Sequence, residues 1–237
     1  GGRRKIVGKA GRIDSFGNKM NIVDYKTGAV TGHCDEDLYV GKKLQLYVYA
    51  KAFSDRFEPV GAYYFPVADE FGDDEEAVIA MKGKTLADLA TASEIDDSIT
   101  EENRKGRFIS ANLTERKTGG GFRYDAGLLT REEFDAYLDY AVKVAGEGIS
   151  EINEGVIVPS PDDKACEYCE YHGLCGYDAA IDGRTRTVNE KIDKTTIVAA
   201  VSENAESEEV EENGDGSGHG AYTENGKVEN GKDEKSK

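Results

Sequence analysis

Apolar and polar positions alternate at the start of the chain. Residues 6–16 and 20–25 are rich in apolar and β-branched side chains, and Gly17-Asn18 between them is a pair typical of tight turns. This pattern predicts a β-hairpin whose two strands lie in one sheet. A further apolar run at residues 61–67 predicts another strand.

Apolar residues recur at helical spacing in two later segments. The first segment predicts a helix over residues 38–53 that Asp37 is able to cap. The second begins at Thr130-Arg131-Glu132-Glu133, which is a capping-box sequence, and the apolar stripe behind it predicts a helix that ends near Asn153. The apolar positions of residues 68–128 follow no clean period, so the sequence supports no firm prediction of an element there.

Charge is unevenly distributed along the chain. Of 237 residues, 47 are acidic and 30 basic, which gives a formal net charge of −17. Residues 1–30 nevertheless contain seven basic and two acidic side chains, whereas residues 203–237 contain eleven acidic and four basic ones. We expect a folded domain over residues 1–182 and a disordered acidic tail over residues 183–237. The basic opening segment is compatible with a polyanionic partner.

The composition excludes a membrane protein, because no apolar run approaches the ~18 residues that a spanning helix needs. The first residues show neither Met nor a secretion leader, so we expect a cytoplasmic fragment of a longer protein. Cys166, Cys169 and Cys175 crowd into one short segment. That spacing is typical of a metal or cluster site in a reducing compartment rather than of a disulfide framework.

The segment Asp24-Tyr25-Lys26-Thr27-Gly28 closes the second hairpin strand. Strand alternation puts Asp24 and Lys26 on one face, where a carboxylate can bind a divalent metal and an ammonium can lie beside a phosphate. These residues fit phosphodiester hydrolysis, although a solvated ion pair at a strand end looks the same in sequence. Gln45 and Tyr49 are i,i+4 neighbours on the predicted helix and share one of its faces.

In this order, Gly-x-Ile-Asp14, Asp24-Tyr-Lys-Thr-Gly28 and Gln45-x-x-x-Tyr49 resemble the RecB-type branch of the PD-(D/E)XK nucleases. The closing Cys-x2-Cys-x5-Cys resembles the C-terminal iron–sulfur nuclease domain in the B subunit of AddAB-type ATP-dependent helicase–nucleases. The resemblance covers residues 5–178. It implies an α/β, restriction-endonuclease-like core, a mixed twisted sheet flanked by helices, with a C-terminal cysteine segment at residues 159–178.

The same resemblance implies a Mg²⁺- or Mn²⁺-dependent DNA exonuclease that works with an A-type motor subunit in double-strand-break repair and recombination. Asp24 would then be a metal ligand, Lys26 would orient or activate the attacking water, and Gln45 and Tyr49 would support the site and contact DNA. The three cysteines would hold a [4Fe–4S] cluster whose fourth ligand lies outside this chain, with zinc as an alternative. The expected contacts to the DNA backbone come from basic residues of the opening segment, namely Arg3, Arg4, Lys5 and Lys9.

The second metal ligand has two alternative positions. The family pattern Gly-Arg-Ile-Asp-Arg-Ile-Asp, laid on residues 8–14, puts Gly11 where the catalytic carboxylate belongs. The other register makes Asp14 the ligand, and Asp14 is the provisional assignment. The two differ by an odd number of residues and therefore place the side chain on opposite sheet faces. If Gly11 holds the position, the domain is a nuclease-fold scaffold that binds DNA or a partner subunit without cutting.

Overall fold

The computed structural model describes residues 6–28, 30, 35–67, 80–123, 126–162, 165–182, 185–186, 188 and 190–202. Within them, five strands form one mixed sheet in chain order. The outer pair β1/β2 and the pair β3/β4 are antiparallel, whereas β2/β3 and β4/β5 are parallel. The strands are β1 (Arg12–Phe16), β2 (Lys19–Lys26), β3 (Glu58–Pro66), β4 (Lys82–Leu86) and β5 (Leu128–Leu129).

Helices flank this sheet, as the sequence predicts. Two of them, α2 and α4, pack on the sheet face that carries Asp24, called the Asp24 face below. The opposite face is covered by α3 and the segment that follows it. The helices are α1 (Asp35–Tyr39), α2 (Gln45–Phe53), α3 (Leu89–Ile95), α4 (Arg131–Asn153), α5 (His172–Cys175) and α6 (Ala179–Asp182).

The β1/β2 hairpin is confirmed, with its turn at Gly17-Asn18. Gly17 has φ +60°, a left-handed conformation that costs glycine little, and Phe16 pairs with Lys19 across the two-residue turn. Because β2 is an inner strand, it is buried on both faces: Ile22 packs on the Asp24 face and Val23 on the other. The hairpin therefore fixes which β1 residues stand opposite Asp24.

The single helix predicted over residues 38–53 is wrong, because the structure has two shorter helices there. The chain leaves α1 after Tyr39, and Gly41 adopts φ +83°. Lys43 also lies in the left-handed region, at φ +50°, where an L side chain crowds its own backbone. This break ends α1 and lets α2 start at Gln45 in a new direction.

The long helix predicted from the capping box is confirmed. In α4 the Thr130 hydroxyl accepts a hydrogen bond from the Glu133 N–H, and the Glu133 carboxylate accepts one from the Thr130 N–H at 2.9 Å. Phe134 and Tyr137 of this helix are fully buried against α2 and the sheet. Helix α4 thus packs against α2 and the sheet on the Asp24 face.

The packed part of the chain continues beyond residue 182, the last residue of the domain expected from sequence. Residues 194–202 are helical, and Ile197 is completely buried in the same core as α4. Lys194 lies 3.1 Å from a Glu133 oxygen, and the Lys143 ammonium donates to the Ala200 carbonyl at 3.0 Å. Within the residues that the structure describes, no helix is long and apolar enough to cross a membrane.

Candidate functional site

Asp24 and Lys26 lie on the same face at the end of β2, as strand alternation predicts. The Lys26 ammonium is 2.6 Å from Asp24 Oδ2 and 5.1 Å from the centre of the Tyr64 ring on β3. Oδ2 itself is buried, and within the described residues it has an ion-pair partner in Lys26 but no hydrogen-bond donor. The Lys26 ammonium therefore compensates the charge of this carboxylate.

Gln45 and Tyr49 share one face of α2, and this face meets the chain just before β1. The Tyr49 hydroxyl accepts hydrogen bonds from the Gln45 amide at 3.4 Å and from the Lys9 backbone N–H at 3.1 Å. Gly8 lies directly against the same ring: a Cβ built on Gly8 would come 2.5 Å from Tyr49 Cε1. The helix motif thus holds the segment that enters the hairpin.

A cleft of about 450 Å³ opens beside Asp24, between the end of β2 and the start of α2. Two ammonium groups point to it, and each is paired with a carboxylate: Lys26 with Asp24, and Lys43 with Asp37 at 2.6 Å. Gln45 is exposed at its rim. The lining residues are Lys26, Gly28, Val30, Lys43, Leu44, Gln45 and Tyr64.

Tyr64 and Lys82 extend the Asp24 row across the sheet, because Asp24 pairs with Tyr64 and Tyr64 with Lys82. Burial raises the pKa of Tyr64 to about 12, with the negative charges of Asp24 and Asp37 adding to it. The Lys82 ammonium donates to the Val30 carbonyl at 2.8 Å. The cleft is therefore lined by a neutral phenol, and the Lys82 ammonium lies next to it, where it holds the carbonyl of the lining residue Val30.

Gly11, the residue just before β1, stands across from Asp24. Arg12 pairs with Val23 in the antiparallel register, so the next position on each strand brings Gly11 opposite Asp24. A Cβ built on Gly11 would lie 3.8 Å from Asp24 Oδ1 and 3.3 Å from the Val23 carbonyl oxygen. The side-chain direction at position 11 thus leads to the Asp24 carboxylate, and glycine leaves that space unfilled.

Asp14 lies on the opposite face of the sheet. It pairs with Asn21, which is three residues from Asp24 and therefore points the other way. Its carboxylate accepts from Arg12 Nε at 2.7 Å, and that hydrogen bond raises the pKa of Arg12, with help from the Tyr25 hydroxyl. The structure brings Asp24, Lys26, Gln45 and Tyr49 together around the cleft but does not bring Asp14 to them.

Four basic residues near the start of the chain are expected to contact DNA, and the structure describes one of them. Arg3, Arg4 and Lys5 lie outside the described residues. Lys9 is exposed, and its backbone is held by Tyr49, which places it at the edge of the same α2 face.

Comparison with known proteins identifies the family of the fold. A family model described as the PD-(D/E)XK nuclease superfamily matches residues 1–176. The chain belongs to the PD-(D/E)XK nuclease superfamily. Its mixed five-stranded sheet with flanking helices is the fold expected of this superfamily, and the fold assignment from sequence is confirmed.

Among curated proteins, the chain is similar to several that are named as the B subunit of an ATP-dependent helicase/deoxyribonuclease. The protein from Clostridium kluyveri is 26% identical, over 82% of this chain and 19% of the relative. The protein from Clostridioides difficile is 27% identical, over 81% of this chain and 19% of the relative. The chain therefore spans about a fifth of the length of these relatives.

Nucleases of this superfamily generally use a divalent metal, and the residues around Asp24 fit such an ion poorly. Among the described residues, no three His, Cys, Asp or Glu side chains are placed where they could hold one metal ion. Glycine stands opposite Asp24 and offers no ligand there, Lys26 balances the Asp24 charge, and the Asp37 carboxylate is paired with Lys43. One carboxylate paired with an ammonium is too small a donor set to hold a divalent ion firmly.

Cys166, Cys169 and Cys175 lie in a loop and the short helix α5. Cys166 is half-buried and the other two are exposed, and all three are free thiols. The chain turns tightly here, since the Cys175 N–H donates to the Tyr171 carbonyl at 2.8 Å. Tyr171 and Leu174 beside them are 68% and 87% exposed, so this segment has no apolar core of its own. Thiols are suitable donors for zinc or iron, but the structure does not bring these three sulfurs to positions from which they could hold one ion together.

Lys43, Tyr64, Lys82 and Gly8 complete the site, although the sequence pattern does not single them out. Lys43 and Lys82 resemble any other surface lysine in sequence, because their position depends on the helix break and on β4 pairing. One signal was available for Gly11: counting back from a two-residue turn at Gly17-Asn18 pairs position 11 with position 24.

Proposed function

We propose that this domain holds the backbone of DNA in the cleft between β2 and α2. The observation that carries the proposal is the convergence of Lys26, Lys43 and Gln45 around one opening beside the superfamily's Asp-x-Lys motif. Ammonium groups and amides are the donors that contact phosphate oxygens without reading sequence. DNA binding is therefore expected to depend on salt and not on base sequence.

We propose further that the domain is part of a helicase–nuclease that processes DNA at double-strand breaks in the cytoplasm. The relatives are named as one subunit of a helicase/deoxyribonuclease, which supports a DNA substrate and a motor partner. Cys166, Cys169 and Cys175 are proposed to bind an iron–sulfur cluster completed by a ligand from outside this chain. Such a cluster would stabilise the segment after residue 159, because binding energy at such sites is folding energy.

Two alternatives for this domain differ in whether it cuts the DNA that it holds. A Mg²⁺-dependent exonuclease needs two carboxylates around Lys26, and the superfamily supports that activity in general. A scaffold that holds DNA without cutting needs only the cleft. The glycine opposite Asp24 favours the second alternative for this chain.

A binding and cleavage assay tests the cleft proposal and distinguishes the two alternatives for cutting. Fluorescence anisotropy of end-labelled single-stranded DNA with the 237-residue chain is expected to show binding that weakens as salt rises. Lys26→Ala together with Lys43→Ala is expected to weaken it at least tenfold. Lys42→Ala is the matched control, because Lys42 pairs with Asp162 and does not line the cleft. Equal binding by the double variant and the control would refute the cleft as the DNA site.

The same labelled DNA, incubated with MgCl₂ and resolved by length, reports cutting. The scaffold alternative predicts intact DNA after full binding. Cutting that is lost in Lys26→Ala would instead establish the nuclease.

A further inference from the structure

The register of the β1/β2 hairpin is fixed at both ends, which makes the Gly11–Asp24 pairing a property of the fold. At one end, Phe16 and Lys19 close the turn. At the other, Gly8 packs against the Tyr49 ring and the Lys9 N–H donates to the Tyr49 hydroxyl. A slip of one residue would break both ends and turn every side chain of β1 to the other face.

Position 11 accepts a Cβ with a small adjustment of one neighbouring backbone group. The nearest atoms to a Cβ at this position are the Val23 carbonyl oxygen at 3.3 Å, Tyr25 Cδ2 at 3.7 Å and Asp24 Oδ1 at 3.8 Å. The contacts to Tyr25 and Asp24 are ordinary, whereas the contact to the Val23 carbonyl is tight and requires that backbone group to move by a few tenths of an ångström. Gly11 has no left-handed φ that would exclude an L side chain. An aspartate here would bring a second carboxylate to the side of Asp24 that Lys26 does not occupy.

Lys26 supplies the positive charge that Asp24 requires. Its ammonium lies 2.6 Å from Oδ2, and the pair as a whole is neutral. A second carboxylate would leave a net negative charge in a partly buried site, which is the condition under which oxygen ligands bind a divalent cation. With glycine at position 11, a cation beside Asp24 gains that carboxylate alone and must compete with the Lys26 ammonium, because the other carboxylate at the cleft, Asp37, is paired with Lys43 at 2.6 Å.

We infer that this cleft is a divalent-cation site short of one carboxylate, that Gly11 is the missing ligand's position, and that the cleft binds DNA phosphate without a metal. The inference rests on the proposed DNA-binding function for its last part only. Asp14 contributes no ligand to this cation site, because its carboxylate is on the opposite face of the sheet.

Isothermal titration with MnCl₂ tests the metal part on the full chain. Wild type and Gly11→Asn, the uncharged control of the same shape, are expected to give the same weak heats from scattered acidic residues. Gly11→Asp is expected to bind one further Mn²⁺ at least tenfold more tightly, and Gly11→Asp with Asp24→Asn is expected to lose it. Wild-type binding that is tight and falls in Asp24→Asn or Asp14→Asn would overturn the inference, whatever the Gly11 variants do.

Anisotropy with end-labelled DNA in EDTA and in MgCl₂ tests the phosphate part. Equal affinity in both buffers is expected for wild type, and a tenfold loss in EDTA would overturn metal-free binding. Circular dichroism of each variant shows whether it folds. If wild type binds no DNA in either buffer, the proposed function fails, while the manganese titration still decides whether a carboxylate is missing.

Discussion

Gly8 lies so close to Tyr49 that a Cβ on Gly8 would come 2.8 Å from the ring carbon Cζ. The contact joins the segment before β1 to the middle of α2, across about forty residues of chain. Together with the hydrogen bond from the Lys9 N–H, it anchors the start of the hairpin to the helix that lines the cleft. It follows that glycine is needed at position 8 for space rather than for backbone conformation.

Gly8→Ala is expected to destabilise the domain by about 1–3 kcal/mol, the usual cost of adding a methyl group to a packed contact. Urea denaturation followed by circular dichroism measures the change. Gly28→Ala is the matched control, since a Cβ there meets no atom within 4 Å. Combining Gly8→Ala with Tyr49→Leu is expected to recover part of the loss, and equal stability of Gly8→Ala and Gly28→Ala would contradict the contact.

Lys43 combines a strained backbone with a position on the cleft. Lys43→Gly is expected to be more stable than Lys43→Ala by about 1 kcal/mol, because both lose the charge but only alanine keeps a Cβ at φ +50°. Both variants are expected to weaken DNA binding by the same factor. The slope of the logarithm of affinity against the logarithm of salt concentration is expected to fall by about one, as for the loss of one phosphate contact.

Anisotropy at several salt concentrations and urea denaturation measure these two effects separately. Lys42→Ala serves as the neighbour control for both. Unchanged DNA affinity in the two Lys43 variants would remove Lys43 from the DNA contacts.

Lys84 and Asp35 form a buried ion pair that connects β4 with α1. The Lys84 ammonium is 2.6 Å from Asp35 Oδ1, and the Tyr137 hydroxyl donates to the same oxygen at 2.8 Å. Burial, together with the nearby Asp35 charge, raises the pKa of Tyr137 far above its usual range. Lys84→Met alone is expected to cost about 3–5 kcal/mol, because it leaves the Asp35 charge without its partner.

A double-mutant cycle measures the pair. The double variant Lys84→Met with Asp35→Asn is expected to lose less free energy of unfolding than the two single variants lose in sum. The expected difference is about 1–3 kcal/mol. Tyr137→Phe is the control that removes one hydrogen bond and no charge. Purely additive losses in urea denaturation would mean that the two groups do not stabilise each other.

Asp96 organises the segment that covers the face opposite Asp24. Burial raises the pKa of this carboxyl, but hydrogen bonds from Ser98 and from the backbone N–H groups of Phe108 and Ile109 outweigh burial and lower it below its ordinary value. A carboxyl with a lowered pKa in the folded state stabilises the fold at neutral pH. Its contribution to the free energy of unfolding begins to fall once the pH drops below about 3.9, the pKa of an aspartate in the unfolded chain. The contribution is lost as the pH falls through the lower pKa of the folded state.

Asp96→Asn is therefore expected to cost about 2 kcal/mol at pH 7 and markedly less at about pH 3. Urea denaturation at both pH values gives the difference. Asp97→Asn, at the exposed neighbouring position, is expected to change little at either pH. A loss that is the same under acidic and neutral conditions would show that the charge of Asp96 does not matter.

Features that depend on near neighbours in the chain could be predicted from the sequence. Strand alternation indicated the shared face of Asp24 and Lys26, and helical spacing indicated that of Gln45 and Tyr49. The capping box at Thr130 is of the same kind. Each of these depends on backbone geometry over at most about four residues.

Features that depend on pairing between distant segments could not be predicted with the same certainty. The choice between Gly11 and Asp14 depends on hairpin register, which the Gly8–Tyr49 contact fixes from another part of the chain. The break between α1 and α2 was missed because the apolar spacing continues through Gly41 even though the backbone turns there. Lys82 comes within hydrogen-bonding distance of Val30 beside the cleft because β3 pairs with β4, which the sequence does not indicate.

Gly11 also has a consequence at the level of the gene. Every glycine codon becomes an aspartate or glutamate codon when its middle base changes from G to A. A single transition at this one codon therefore places an acidic side chain opposite Asp24, without any change elsewhere in the hairpin. Under the proposed function, one nucleotide thus separates a domain that holds DNA from one that also binds a metal.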